Sequence, residues 1–130
     1  MGEKQPSVEI ENGKYVIYWK GEHYAGPFQF AYILDVEDNE VVYTEQRSGD
    51  FYLHWGDHEY GPFEEVTYEG VFQSTIFMTY RVSGQYYVQW GRTAGPYAAV
   101  RYCRYEDVQV KCEVRSGRAW THITLDNGKL

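Results

Sequence analysis

Three Gly-Pro-aromatic triplets, Gly26-Pro27-Phe28, Gly61-Pro62-Phe63 and Gly95-Pro96-Tyr97, constrain this chain more than any other feature. Each follows an aromatic run that ends in tryptophan: Tyr15-Val16-Ile17-Tyr18-Trp19, Phe51-Tyr52-Leu53-His54-Trp55 and Tyr86-Tyr87-Val88-Gln89-Trp90. Such runs of aromatic and branched residues predict strands. Proline has no N–H to give to a ladder, so each triplet must open a strand or lie at a sheet edge. The unit that repeats is therefore an aromatic strand, a short polar loop and a strand that starts at Gly-Pro.

Turn signals set the period. Asn12-Gly13 lies between alternating runs, and both residues tolerate the positive φ of a two-residue hairpin. The same joint returns at Ser48-Gly49, Ser83-Gly84 and Ser116-Gly117, at spacings of 36, 35 and 33 residues. The strands Val41 to Arg47, Ile76 to Val82 and Val108 to Arg115 lead into the later joints. Each period reads as four segments: the aromatic strand, a strand from the triplet (Phe28 to Tyr32, Phe63 to Tyr68, Tyr97 to Tyr102), a short third segment such as Leu34 to Glu37, and the strand before the next joint. With 18% aromatic residues, 14 of them tyrosine, and with Thr and Val spread throughout, the chain is expected to be all-β. The expected plan is a polar leader over 1–7 and one repeat domain over 8–130. Its repeats fall at about 14–47, 50–82 and 85–115, with end strands at 8–11 and 118–124. On the aromatic strands one face is apolar and the other partly so, which calls for a sheet covered on both sides, and this places the tryptophans in the framework.

The order of an aromatic strand ending in Trp90-Gly91, a loop, Gly95-Pro96-Tyr97, a strand, a turn such as Asp38-Asn39-Glu40 and then Val41-Val42-Tyr43 resembles bacterial propeller-type repeats related to the tryptophan-aspartate repeat family. The resemblance covers most of residues 8 to 124 and implies four-stranded blades and a scaffold with no fixed activity. It implies a propeller-like array of about three and a half repeats, short of the ~4 to 8 blades of closed rings, so that closure within the chain or assembly of copies would complete it. A β-trefoil, also built from three repeats, is the alternative.

Charge is unevenly spread. Residues 1–75 hold 4 Lys+Arg against 15 Asp+Glu, and residues 76–130 hold 8 against 4, for a net charge of −7. This disfavours nucleic acid as a partner, although Arg81, Arg92, Arg101, Arg104, Lys111, Arg115 and Arg118 offer a local basic patch. It suits a basic partner protein or a head-to-tail contact between copies. The leader has no apolar signal core and no run reaches the ~18 apolar residues of a membrane span, so a cytoplasmic location with no membrane is expected. Cys103 and Cys112 have no metal-ligand spacing and read as free buried thiols.

No nucleophile elbow, phosphate loop or zinc framework is present, so no catalytic residue, cofactor or metal is expected and the chain does not read as an enzyme. His54 and His58 are four apart but separated by a strand end, and with Asp57 and Glu59 beside them they read as surface polar residues. The candidate recognition groups lie between Trp and Gly-Pro, where the three copies differ: Glu22, His23 and Tyr24; Asp57, His58, Glu59 and Tyr60; Arg92 and Thr93. Fixed supports with variable tips suit a non-enzymatic interaction module. In one form Glu22, Asp57, Glu59, Glu64 and Glu65 face a basic partner, as in an inhibitor or immunity protein. In another, Tyr24, Tyr60 and Arg92 serve a glycan or nucleotide. A third is a self-assembling structural protein.

Overall fold

The computed structural model describes residues 5–126. These form fourteen strands in four antiparallel sheets, with no helix among the described residues. The first sheet joins β1 (Ser7–Glu11), β2 (Lys14–Trp19) and β3 (Glu22–Phe28). The second joins β4 (Phe30–Glu37), β5 (Glu40–Arg47), β6 (Asp50–Trp55) and β7 (His58–Phe63). The third holds β8 (Glu65–Phe72), β9 (Thr75–Val82), β10 (Gln85–Trp90) and β11 (Arg92–Tyr97), and the fourth β12 (Ala99–Glu106), β13 (Gln109–Arg115) and β14 (Trp120–Leu125). Each sheet is a meander in chain order, because short turns return every strand beside its predecessor. Among the described residues no helix is long and apolar enough to cross a membrane.

The all-β expectation holds, but the phase of the repeat differs. The stretch between Trp and Gly-Pro is an edge strand and not a loop, and the triplet ends that strand instead of opening the next. In the third sheet Tyr86 pairs Tyr97 while Val88 pairs Ala94, so one extra residue is bulged at Gly95-Pro96. Tyr15 opposite Phe28 and Ile17 opposite Ala25 repeat the bulge at Gly26-Pro27. All three Gly-Pro peptide bonds are cis. A bulge on an edge strand accommodates the missing N–H, and the ladder stops there, so the next sheet starts two residues later. Leu34 to Glu37 is likewise not a separate segment. It continues the eight-residue β4, across a bulge between Ile33 and Asp35.

The joints at Asn12-Gly13, Ser48-Gly49 and Ser83-Gly84 have positive φ at both positions, as two-residue hairpins require. Ser116-Gly117 departs from this. Arg115 pairs Trp120, so four residues connect β13 to β14 and only Gly117 takes a positive φ. The cysteines also depart from expectation. A bulge in β12 between Arg101 and Arg104 sets Cys103 across from Cys112 on β13, with Cα atoms 4.2 Å apart, and the two form a disulfide.

The chain divides into two compact units, Met1–Pro62 and Phe63–Leu130. In the first, Ile17 and Trp19 of β2 pack with Ala31, Val41 and Tyr43 of the second sheet. Val42, Leu53 and Trp55, on the opposite face of β5 and β6, are buried too, in keeping with the two-sided pattern. In the second unit Phe77, Val88 and Trp90 pack with Val110, Cys112 and Val114. The tryptophans are framework. The Trp55 indole Nε1 donates to the Glu37 carbonyl at 3.0 Å, and that of Trp90 to the Phe72 carbonyl at 3.1 Å, so each reaches across the middle strand of its meander.

One turn carries an ill-suited residue. Asp107 and Val108 have φ of 54° and 60°, yet Val108 is β-branched and exposed. A branched Cβ in the left-handed region costs ~1–2 kcal/mol and asparagine much less. Val108→Asn is expected to stabilise the chain by about 1 kcal/mol, read as a rise of about 3–5 °C in thermal midpoint.

Candidate binding site

The residues singled out in the sequence occupy edge strands and the turns before them. Tyr24, on β3, is half-buried. Its hydroxyl donates to Glu40 at 2.6 Å and accepts from the Val41 N–H at 3.1 Å. Burial first, and then the Glu40 carboxylate, push its pKa up to about 12. Tyr24 thus ties the first sheet to the second and is not a free recognition group. His23 Nε2 lies 3.1 Å from the Gly26 carbonyl. Tyr60 is half-buried against His58, and burial raises its pKa. Arg92 and Thr93 belong to the second unit, where Arg92 is exposed and the Thr93 hydroxyl donates to Gln89 at 3.3 Å. Of the five carboxylates proposed to meet a basic partner, Glu59 is held by Arg47, and Glu64 and Glu65 both pair with Arg81. Glu22 and Asp57 are exposed.

Two features of the first unit were not legible beforehand. The first is an acidic end. The turns Lys20-Gly21, Asp38-Asn39 and Gly56-Asp57 follow β2, β4 and β6, and the Lys20 ammonium joins the first two by donating to Asn39 at 2.6 Å. Around these turns and the strand ends beside them stand Glu22, Asp35, Glu37, Asp38, Glu40 and Asp57. Burial raises the Glu37 pKa, and so do a hydrogen bond with Asp35 and the charge of Asp38. A carboxyl that pairs with a carboxyl marks a concentration of like charge.

The second is a buried charge on the inner face of the second sheet. Glu45, on β5, is 1% exposed, and its carboxylate accepts from the Arg47 guanidinium, with a closest N···O distance of 2.5 Å. His54 Nε2, on β6, is 2.8 Å from Glu45 Oε2 and 3.6 Å from Glu59 Oε1 on β7. Arg47 also reaches Glu59 at 2.7 Å, and Tyr43 stacks on His54 with ring centres 4.6 Å apart. Burial by itself would raise the Glu45 pKa, but hydrogen bonds from Arg47 and His54 outweigh it and hold the carboxyl below its ordinary range. The group lines an open cavity of about 420 Å³ together with Lys14, Phe28 and Gln29. In the sequence His54 and Glu59 stand beside His58 and Asp57. Glu45 and Arg47 come from the strand before, and only the ladder register of β5 on β6 brings them to His54.

No family model matches this chain, and no curated protein or solved structure does.

Proposed function

We propose that this protein is a non-enzymatic interaction module, a propeller-like scaffold of repeats that receives a basic partner protein on the acidic end of its first unit. The observation that carries this reading is the gathering of Glu22, Asp35, Glu37, Asp38, Glu40 and Asp57 around three turns, where Lys20 is the one cation among the described residues. The first unit as a whole has 4 Lys+Arg against 12 Asp+Glu. Such a surface raises the rate at which a cationic partner arrives, and salt removes the gain. The four-stranded meanders, with the strand order of blades, support the scaffold part of the reading.

The test uses a lysine- and arginine-rich peptide set and its charge-reversed counterpart, with association rates measured at about 0.05 M and 0.5 M salt. Basic peptides are expected to bind at low salt, and the triple change Asp35→Asn, Asp38→Asn, Asp57→Asn to slow association by about tenfold there and little at high salt. Binding that ignores both salt and these substitutions would refute the acidic-end reading. The more basic residues 76–130 of a second copy offer the same kind of partner, and a solution mass above 15.3 kDa that reverts to it at high salt identifies that case.

A further inference from the structure

We propose that Glu45, His54 and Glu59 form a binding site for a first-row divalent metal ion, with zinc the best fit. One imidazole nitrogen and two carboxylate oxygens come from three adjacent strands of one sheet, and these ligand atoms all lie within 4.8 Å of one another. Bonds of 2.0–2.2 Å around a tetrahedral zinc ion need ligand atoms about 3.3 Å apart. The observed 2.8 and 3.6 Å from His54 Nε2 to Glu45 and Glu59 bracket that spacing. The cavity beside the three leaves a side open for water or a fourth ligand. Mixed imidazole and carboxylate donors suit zinc, manganese or cobalt more than calcium, which takes oxygen ligands alone.

The next repeat shows that the fold does not require charge at this place. Glu45 lies opposite Tyr52 and Tyr43 opposite His54, and in the third sheet Tyr80 lies opposite Tyr87 and Met78 opposite Gln89. Thr93 precedes Gly95 by two residues, as Glu59 precedes Gly61. The equivalent trio is thus Tyr80, Gln89 and Thr93, in which the Tyr80 hydroxyl donates to Gln89 at 3.2 Å and the Thr93 hydroxyl at 3.3 Å. A neutral hydrogen-bonded cluster fills the site there. A buried ionic cluster rarely stabilises more than such a neutral one, so the carboxylates and the histidine need another reason to stand together.

Arg47 supplies the positive charge in this structure, bridging Glu45 and Glu59. Its side chain is 48% exposed, so it has an open path to solvent when an ion takes its place. A metal at His54 Nε2 uses that nitrogen's lone pair, so any proton there leaves or moves to Nδ1 as the ion binds beside the two carboxylates.

The test is calorimetric titration of the chelator-treated chain with zinc chloride, with cobalt chloride in parallel to read ligand geometry from its visible bands. One ion per chain at micromolar affinity is expected. His54→Gln should weaken binding by roughly 100-fold, Glu45→Gln similarly, and Arg47→Met should tighten it by about tenfold because a competing cation is gone. Should Glu45→Gln fail to fold, His54→Gln and Arg47→Met carry the test alone. Exposed His122 is the control, and His122→Gln should leave affinity unchanged. Absence of a bound ion in both the wild-type chain and Arg47→Met overturns the proposal, as does an affinity that His54→Gln leaves intact.

Discussion

Gly95→Ala is expected to cost roughly 3–4 kcal/mol, measured as a fall in denaturant midpoint at unchanged slope. A Cβ at Gly95 would stand 2.8 Å from the Tyr86 carbonyl oxygen and 2.8 Å from the Tyr87 ring, at a φ of 134° that L side chains rarely adopt. The backbone oxygen cannot yield without opening the β10–β11 ladder at its bulge. Gly61→Ala should behave alike, since its Cβ would lie 2.8 Å from the Phe51 oxygen and 2.9 Å from the Tyr52 ring. Gly84→Ala separates the two contributions. Its φ of 74° is also left-handed, but a Cβ there meets nothing within 4 Å, so only the conformational cost of about 1 kcal/mol applies. Equal losses at Gly84 and Gly95 would show that close approach of the strands is not what the triplet provides.

Arg47→Met, assayed in the presence of a chelator, should destabilise the chain by roughly 2 kcal/mol at neutral pH. It leaves Glu45 buried with only His54 as its hydrogen-bond donor. A fully buried broken pair costs about 3–5 kcal/mol, and the smaller figure reflects the solvent already around Arg47. The loss should depend on pH in a defined sense. Glu45 has a folded-state pKa below its ordinary value of 4.5, so its ion pair contributes fully above that value and the contribution fades as pH falls through the folded value. Wild type and Arg47→Met should therefore converge in stability in acid. A gap that stays constant from neutral pH down through the carboxylate range would assign the loss to packing of the arginine over the Tyr52 ring, 3.9 Å away, and not to its charge.

The triplet and the tryptophan before it were legible in the sequence as framework, because proline and aromatic runs act through local rules. Proline has no N–H to pair, an aromatic run favours a pleated strand, and Asn-Gly or Ser-Gly turns the chain in two residues. These rules determined the all-β class, three of the four hairpin joints and the structural role of the tryptophans, but they read the edge strands between Trp and Gly-Pro as loops. They did not determine where one sheet ends and the next begins. Gly-Pro can open a strand or close one, and what decides is the bulge that seats Gly26 and Gly95 against the carbonyls of Tyr15 and Tyr86. Nor did they reveal the candidate site. Glu45 and His54 are nine residues apart, and Cys103 and Cys112 are also nine apart, yet each pair meets because two strands align in one register. Residue type and local spacing are written in the chain, whereas register across a ladder is settled only when both strands bury their apolar faces together.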